Sequence, residues 1–158
     1  MRRLAVASVA LALVLSGCAL SGLAFREDDR VTILEPADRA EVTLPLTIRW
    51  SSGGAGPYFA VFVDREPVRP GQSLRAVADD SCNRTPGCPD VAYLRERYVY
   101  LTDQTWIDLD VVARRGGSQR TSADNRHEAT IVLVDGEGRR IGEAAYTVEF
   151  TVRDEEAS

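Results

Sequence analysis

Three cysteines and a single histidine are the most reactive side chains in this sequence: Cys18, Cys82, Cys88 and His127. Cys82 and Cys88 enclose Asn83-Arg84-Thr85-Pro86-Gly87. Two thiols at that spacing across a Pro-Gly turn close easily into a disulfide, provided the compartment is oxidising. A metal site would need further ligands close by, and one histidine does not supply them. His127 could serve a Ser-His-Asp site only with Ser118, Ser122 or Asp124 as neighbours. No Gly-x-Ser-x-Gly elbow is present. The simpler reading makes it a residue at the start of a strand beside Glu128.

Carboxylates are plentiful. Asp28-Asp29, Asp79-Asp80, the pair Asp108 and Asp110, and Asp154-Glu155-Glu156 are the candidates for calcium, which takes six to eight oxygens from rigid loops. None has the alternating acidic spacing of a calcium loop. A carboxylate pair for glycoside hydrolysis would also want aromatic rings to stack sugars. Tyr93, Tyr98, Tyr100 and Trp106, near the Cys82–Cys88 loop, are the nearest to a recognition patch. Tyrosine and tryptophan are common interface anchors. The expectation is therefore a non-catalytic chain with no cofactor and no metal.

Composition narrows the classes further. The chain has 158 residues, 19 basic and 24 acidic, for a net charge of −5. All the basic residues are arginine, so lysine Schiff bases and P-loop lysines are excluded. An acidic chain is a poor partner for phosphate backbones, and no nucleic acid is expected. The length suits one domain with a core of its own.

The first residues read as an address. Met1-Arg2-Arg3 is basic, and Leu4 to Leu15 is a twelve-residue apolar run. That is short of the roughly 20 residues that span a bilayer and has the length of a signal h-region. Leu15-Ser16-Gly17-Cys18 follows. This passage resembles the lipobox of bacterial lipoproteins. The resemblance implies cleavage before Cys18, lipidation of its thiol and acylation of its new amine. Two or three acyl chains, at about 0.8 kcal/mol per buried CH₂, anchor firmly. Residues 1–17 are then a signal peptide, and the 141 residues left carry a charge of −7. Residues 18–30 read as the lipidated tether. Ala19 stands where an aspartate commonly retains lipoproteins at the inner membrane, which favours outer-membrane delivery if the cell has one. The implied place is the bacterial envelope, facing the periplasm or the exterior.

From residue 31 to 152 the apolar residues recur with period two between turn residues, as in half-buried strands. Val31–Leu34 is a short strand. Val42, Leu44, Leu46, Ile48 and Trp50 share one buried face, with Pro45 at an edge, bulge or break. Tyr58–Val63 is apolar throughout and suits a strand covered on both faces. Ser81–Asp90 reads as loop, with Asp90 capping a helical turn through Tyr93, Leu94 and Arg97. Tyr98–Leu101 and Trp106–Val112 read as strands. Ala113–His127 reads as a long exposed loop. Ala129–Val134 and Ile141–Val152 form a closing hairpin about Gly136–Gly138. Residues 153–158 are an acidic tail.

The pattern predicts an all-β fold, an antiparallel sandwich of seven or eight strands. Ile33-Leu34-Glu35-Pro36 leading to Ile48-Arg49-Trp50, the run Tyr58–Asp64 and the run His127–Val152 resemble immunoglobulin-like and fibronectin III-like domains. The inter-sheet disulfide of antibody domains is missing, because neither strand carries cysteine. The implied role is a lipid-anchored module that binds or supports an envelope protein or glycan. Its contacts would run through the loops Ser81–Asp90 and Arg114–Arg126. The alternative is an accessory subunit of an envelope assembly complex that contacts its partner by a sheet edge, and the third reading is a small hydrolase that uses His127 or a carboxylate pair.

Overall fold

The computed structural model describes residues 29–54, 58–112 and 125–153. Cys18, the signal segment, Ser118, Ser122, Asp124 and residues 154–158 lie outside them.

Eight strands are present among the described residues: β1 Val31–Glu35, β2 Ala40–Val42, β3 Leu46–Ser52, β4 Tyr58–Val63, β5 Val99–Thr102, β6 Trp106–Leu109, β7 Arg126–Val134 and β8 Tyr146–Val152. They form two sheets, one ordered β1-β3-β6 and the other β2-β8-β7-β4-β5. The result is the all-β sandwich that the alternation predicts.

The run from Val42 to Trp50 is two strands in different sheets. Pro45 has no N–H to give a ladder and interrupts the run. The chain leaves the five-stranded sheet after β2 and joins the three-stranded sheet as β3. Here the expectation of a purely antiparallel sandwich is corrected, because β2 runs parallel to β8, with Ala40 opposite Phe150 and Val42 opposite Val152. The other pairings are antiparallel.

The inter-sheet core is built from alternating positions: Ile48 and Trp50 of β3, Phe59 and Val61 of β4, Ile131 of β7 and Phe150 of β8. Trp50 and Phe59 meet edge to face, with centroids 5.3 Å apart. Residues between these positions in β4 and β7 face the other way. Ala60, Phe62, Val132 and Val134 pack under Val68, Leu74 and Leu94, which come from the long connection between β4 and β5. This second layer explains why β4 lacks alternation. Both of its faces are buried, and each fully buried Val or Phe contributes about 1.5–3 kcal/mol.

That connection is not all loop. A single 3-10 turn covers Leu74–Val77, and two short helices follow, α1 Asp80–Asn83 and α2 Val91–Arg95. The loop expected at Ser81–Asp90 thus begins inside α1. Asp79 caps α1 by accepting the Cys82 N–H, and Asp90 caps α2 by accepting the Tyr93 N–H. Cys82 and Cys88 are joined by a disulfide, with Cα atoms 5.3 Å apart.

The closing hairpin turns at Asp135–Arg139. The Asp135 carboxylate accepts the N–H groups of Glu137 and Arg139, and Gly138 takes φ +70°, where glycine has no steric penalty. After it, β8 begins at Tyr146 and not at Ile141. The intervening residues are held by Arg140, which is buried and donates to the carbonyls of Val68, Glu143 and Ala144.

Candidate functional site

β5 and β6 are the outer strands of their sheets on the same side of the sandwich. A groove of about 410 Å³ lies between them, lined by Arg95, Tyr100, Trp106, Ile107, Asp108 and Asp110 among others. Val91 of α2 is exposed at its rim. The period of β6 decides what shows: Ile107 and Leu109 turn into the core, and Trp106 and Asp108 turn to solvent. Trp106 is 45% exposed and lines this groove together with exposed Val91, so apolar surface is grouped here and not scattered singly. The Thr47 hydroxyl donates to Asp108 at 2.6 Å across the β3–β6 pair.

The four rings grouped as one patch in the sequence divide in the structure. Trp106 alone is exposed. Tyr100 is a correction: it is 8% exposed, because its place in β5 turns it toward the inter-sheet core. Burial pushes its hydroxyl pKa up, with the Arg95 charge opposing. The Arg95 guanidinium carbon sits 5.8 Å from the Tyr100 ring centroid. Tyr98 is half-buried against the same core and has φ +57°. Tyr93 is half-buried in a different cluster. Its hydroxyl accepts the Asp79 N–H at 2.8 Å, and the Arg97 guanidinium lies 3.4 Å from its ring centroid. Arg97 also pairs with Asp79 at 2.8 Å. The cluster ties α1 to α2, and its residues serve the fold.

His127 stands at the start of a strand beside Glu128, as the simpler reading has it: β7 begins at Arg126, so the loop expected at Ala113–His127 ends before this residue, and its ring lies against Phe150, centroids 5.8 Å apart. Its Nδ1 lies 2.7 Å from Oδ2 of Asp64, and the two side chains are 4% and 3% exposed. Asp64 follows β4 with φ +55°, accepts the Glu128 N–H and donates its own N–H to the Glu128 carbonyl. Sequence reading missed Asp64 because the two residues are 63 positions apart and nothing local marks an aspartate after a strand as a partner. A carboxylate and the imidazole it orients supply two of the three members of a nucleophilic triad. The adjoining cavity is lined by Asp64, Arg65, Glu66, Arg126, Glu128 and Glu149 besides His127, with no hydroxyl or thiol among these described residues.

Among the described residues the remaining acidic candidates are engaged or solvated. Asp79 caps a helix, Asp108 accepts from Thr47, and Asp110 is exposed. Among the described residues no three His, Cys, Asp or Glu side chains come together as a metal site. No helix among them is long and apolar enough to cross a membrane. Compared with known proteins, the chain matches no family model, no curated protein and no solved structure.

Proposed function

We propose that this protein is a lipid-anchored, immunoglobulin-like module of the bacterial cell envelope that binds or supports another envelope component without catalysis. The anchor reading rests on Leu15-Ser16-Gly17-Cys18 behind a twelve-residue apolar run. The immunoglobulin-like reading is supported by the order of the two sheets and by the switch of the chain between them at Pro45. The observation that carries the binding role is Trp106, a large ring left exposed on the rim of a groove. It favours a contact along the β5–β6 side over one through the Ser81–Asp90 loop. That loop is closed by a disulfide and backed by Cys82, which is buried.

Metabolic labelling with an alkyne fatty acid tests the anchor. Label is expected on the full chain and lost in Cys18→Ser; a Cys18→Ser protein that keeps its label defeats this reading. A photo-crosslinking residue at position 106 in living cells tests the contact surface. It is expected to give a discrete adduct that the same residue at exposed Arg69 does not give. Equal adducts at both positions would argue for nonspecific encounter.

A further inference from the structure

The two walls of the β5–β6 groove are open strand edges. Trp50 donates its N–H to the Thr105 carbonyl at 2.9 Å, and Arg49 stands opposite Trp106. In an antiparallel ladder, bonded and non-bonded pairs alternate. The bonds to β3 therefore fall on Ile107 and Leu109, and the N–H and C=O groups of Trp106 and Asp108 turn away from β3. The same logic applies to β5. Val63 donates to the Tyr98 carbonyl, and Val99 stands opposite Phe62, so the backbone groups of Val99 and Leu101 turn away from β4. No strand fills the space between these edges among the described residues.

The side chains of β6 specify what such a strand would carry. Facing inward, Ile107 and the buried Tyr100 call for apolar side chains. Facing outward, Asp108 of β6 and the exposed Asp110 just after it outnumber Arg95 in the groove lining and call for positive ones, because opposite charges across a strand pair are favourable. A second copy of this chain is a poor occupant. Two β6 edges paired with each other would bring acidic side chains together in a chain that is already acidic.

We infer that β6 accepts an extended segment of a partner protein, alternating apolar and basic residues, as an added strand. The inference rests on the reading of this groove as the contact surface and names the chemistry of what it contacts. The strand lies about 4.8 Å from β6, takes its hydrogen bonds from Trp106 and Asp108, and sets its basic residues opposite Asp108 and Asp110.

The probe is a synthetic peptide alternating valine and arginine, with a valine–glutamate peptide as control, added to the full-length protein in detergent micelles. Amide hydrogen exchange is read residue by residue by NMR. With the valine–arginine peptide the amides of Trp106 and Asp108 are expected to slow by about tenfold or more. The glutamate peptide is expected to leave them unchanged. Asp108→Arg and Asp110→Arg, made singly at exposed positions, are each expected to weaken that preference, and together to reverse it. Equal protection by both peptides would overturn the inference, as would protection at Val99 and Leu101 without Trp106 and Asp108, or none at all. A discrete crosslink at position 106 without peptide protection overturns the added strand and leaves the contact surface standing, so the two failures are distinct.

Discussion

Asp64 and His127 join the end of β4 to the start of β7 through a 2.7 Å contact between two side chains almost wholly shielded from water. Asp64 does this from φ +55°, a conformation that aspartate and asparagine tolerate better than most residues. Two demands thus meet at one position, a carboxylate oxygen for the ring and a backbone that accepts the left-handed region.

Substitution tests the two demands together, one variant losing both and another keeping both. Asp64→Ala loses both and is expected to cost about 3 kcal/mol, because buried donors are left without a partner. Asp64→Asn keeps the tolerance for positive φ and an amide that can bond the ring, and is expected to cost about 1 kcal/mol. Urea denaturation midpoints measure both. Equal losses would show that neither the hydrogen bond nor the backbone conformation decides the stability of this end.

Asp79 gives the fold an acid-sensitive element. Its pKa is held below the ordinary carboxylate range chiefly by the Cys82 N–H, with Tyr93 and Arg97 adding to the effect and burial opposing it. A carboxylate with a depressed folded pKa stabilises above its unfolded pKa, and that stability is lost as pH falls through the folded value. Asp79→Asn is therefore expected to be less stable than the parent at neutral pH. The difference should close as pH drops below the ordinary carboxylate range. Denaturant titrations at stepped pH read this, and a gap that stays constant into acid would refute it.

The Cys82–Cys88 bridge closes a small loop, and the chain-entropy estimate for so short a closure is about 2 kcal/mol. Replacing both cysteines with alanine is expected to lower stability by about that amount while keeping the sandwich, since the bridge lies on the β4–β5 connection and joins no two strands. Far-ultraviolet dichroism together with a urea titration checks both parts. Loss of the β signal would give the bridge a larger role.

Arg140 is a buried cation whose nitrogens serve three carbonyls, at 2.7 Å to Val68, 2.7 Å to Glu143 and 3.1 Å to Ala144. Burial lowers its pKa, with the Glu143 charge opposing. A lysine point charge does not reproduce the fork of the guanidinium. Arg140→Lys is expected to cost about 1–3 kcal/mol and to speed hydrogen exchange at Gly71, whose amide bonds the Arg140 carbonyl. Unchanged exchange at Gly71 would mean that the side chain does not hold the connection to the hairpin.

The sequence alone determined the features that depend on near neighbours. Alternation marks which residues of β3, β6 and β8 face inward, because successive side chains on a strand point to opposite sides and water occupies one of them. The closeness of Cys82 and Cys88 along the chain brought them together, and the Asp90 cap needed only the three residues that follow it. The unbroken apolar run of β4 already told of two covered faces.

Tertiary structure decided what depends on distant segments meeting. Nothing local says that β2 would leave its neighbour β3 to run parallel with β8, or that Asp64 would find His127. Nor does the spacing of four aromatic residues say that Tyr100 is enclosed and Trp106 exposed. Both stand in edge strands, and the difference comes from which sheet face each one meets. A strand's own residues encode its two faces, but its partners follow from long-range closure of the chain. The groove between β5 and β6 exists only because two sheets end on the same side.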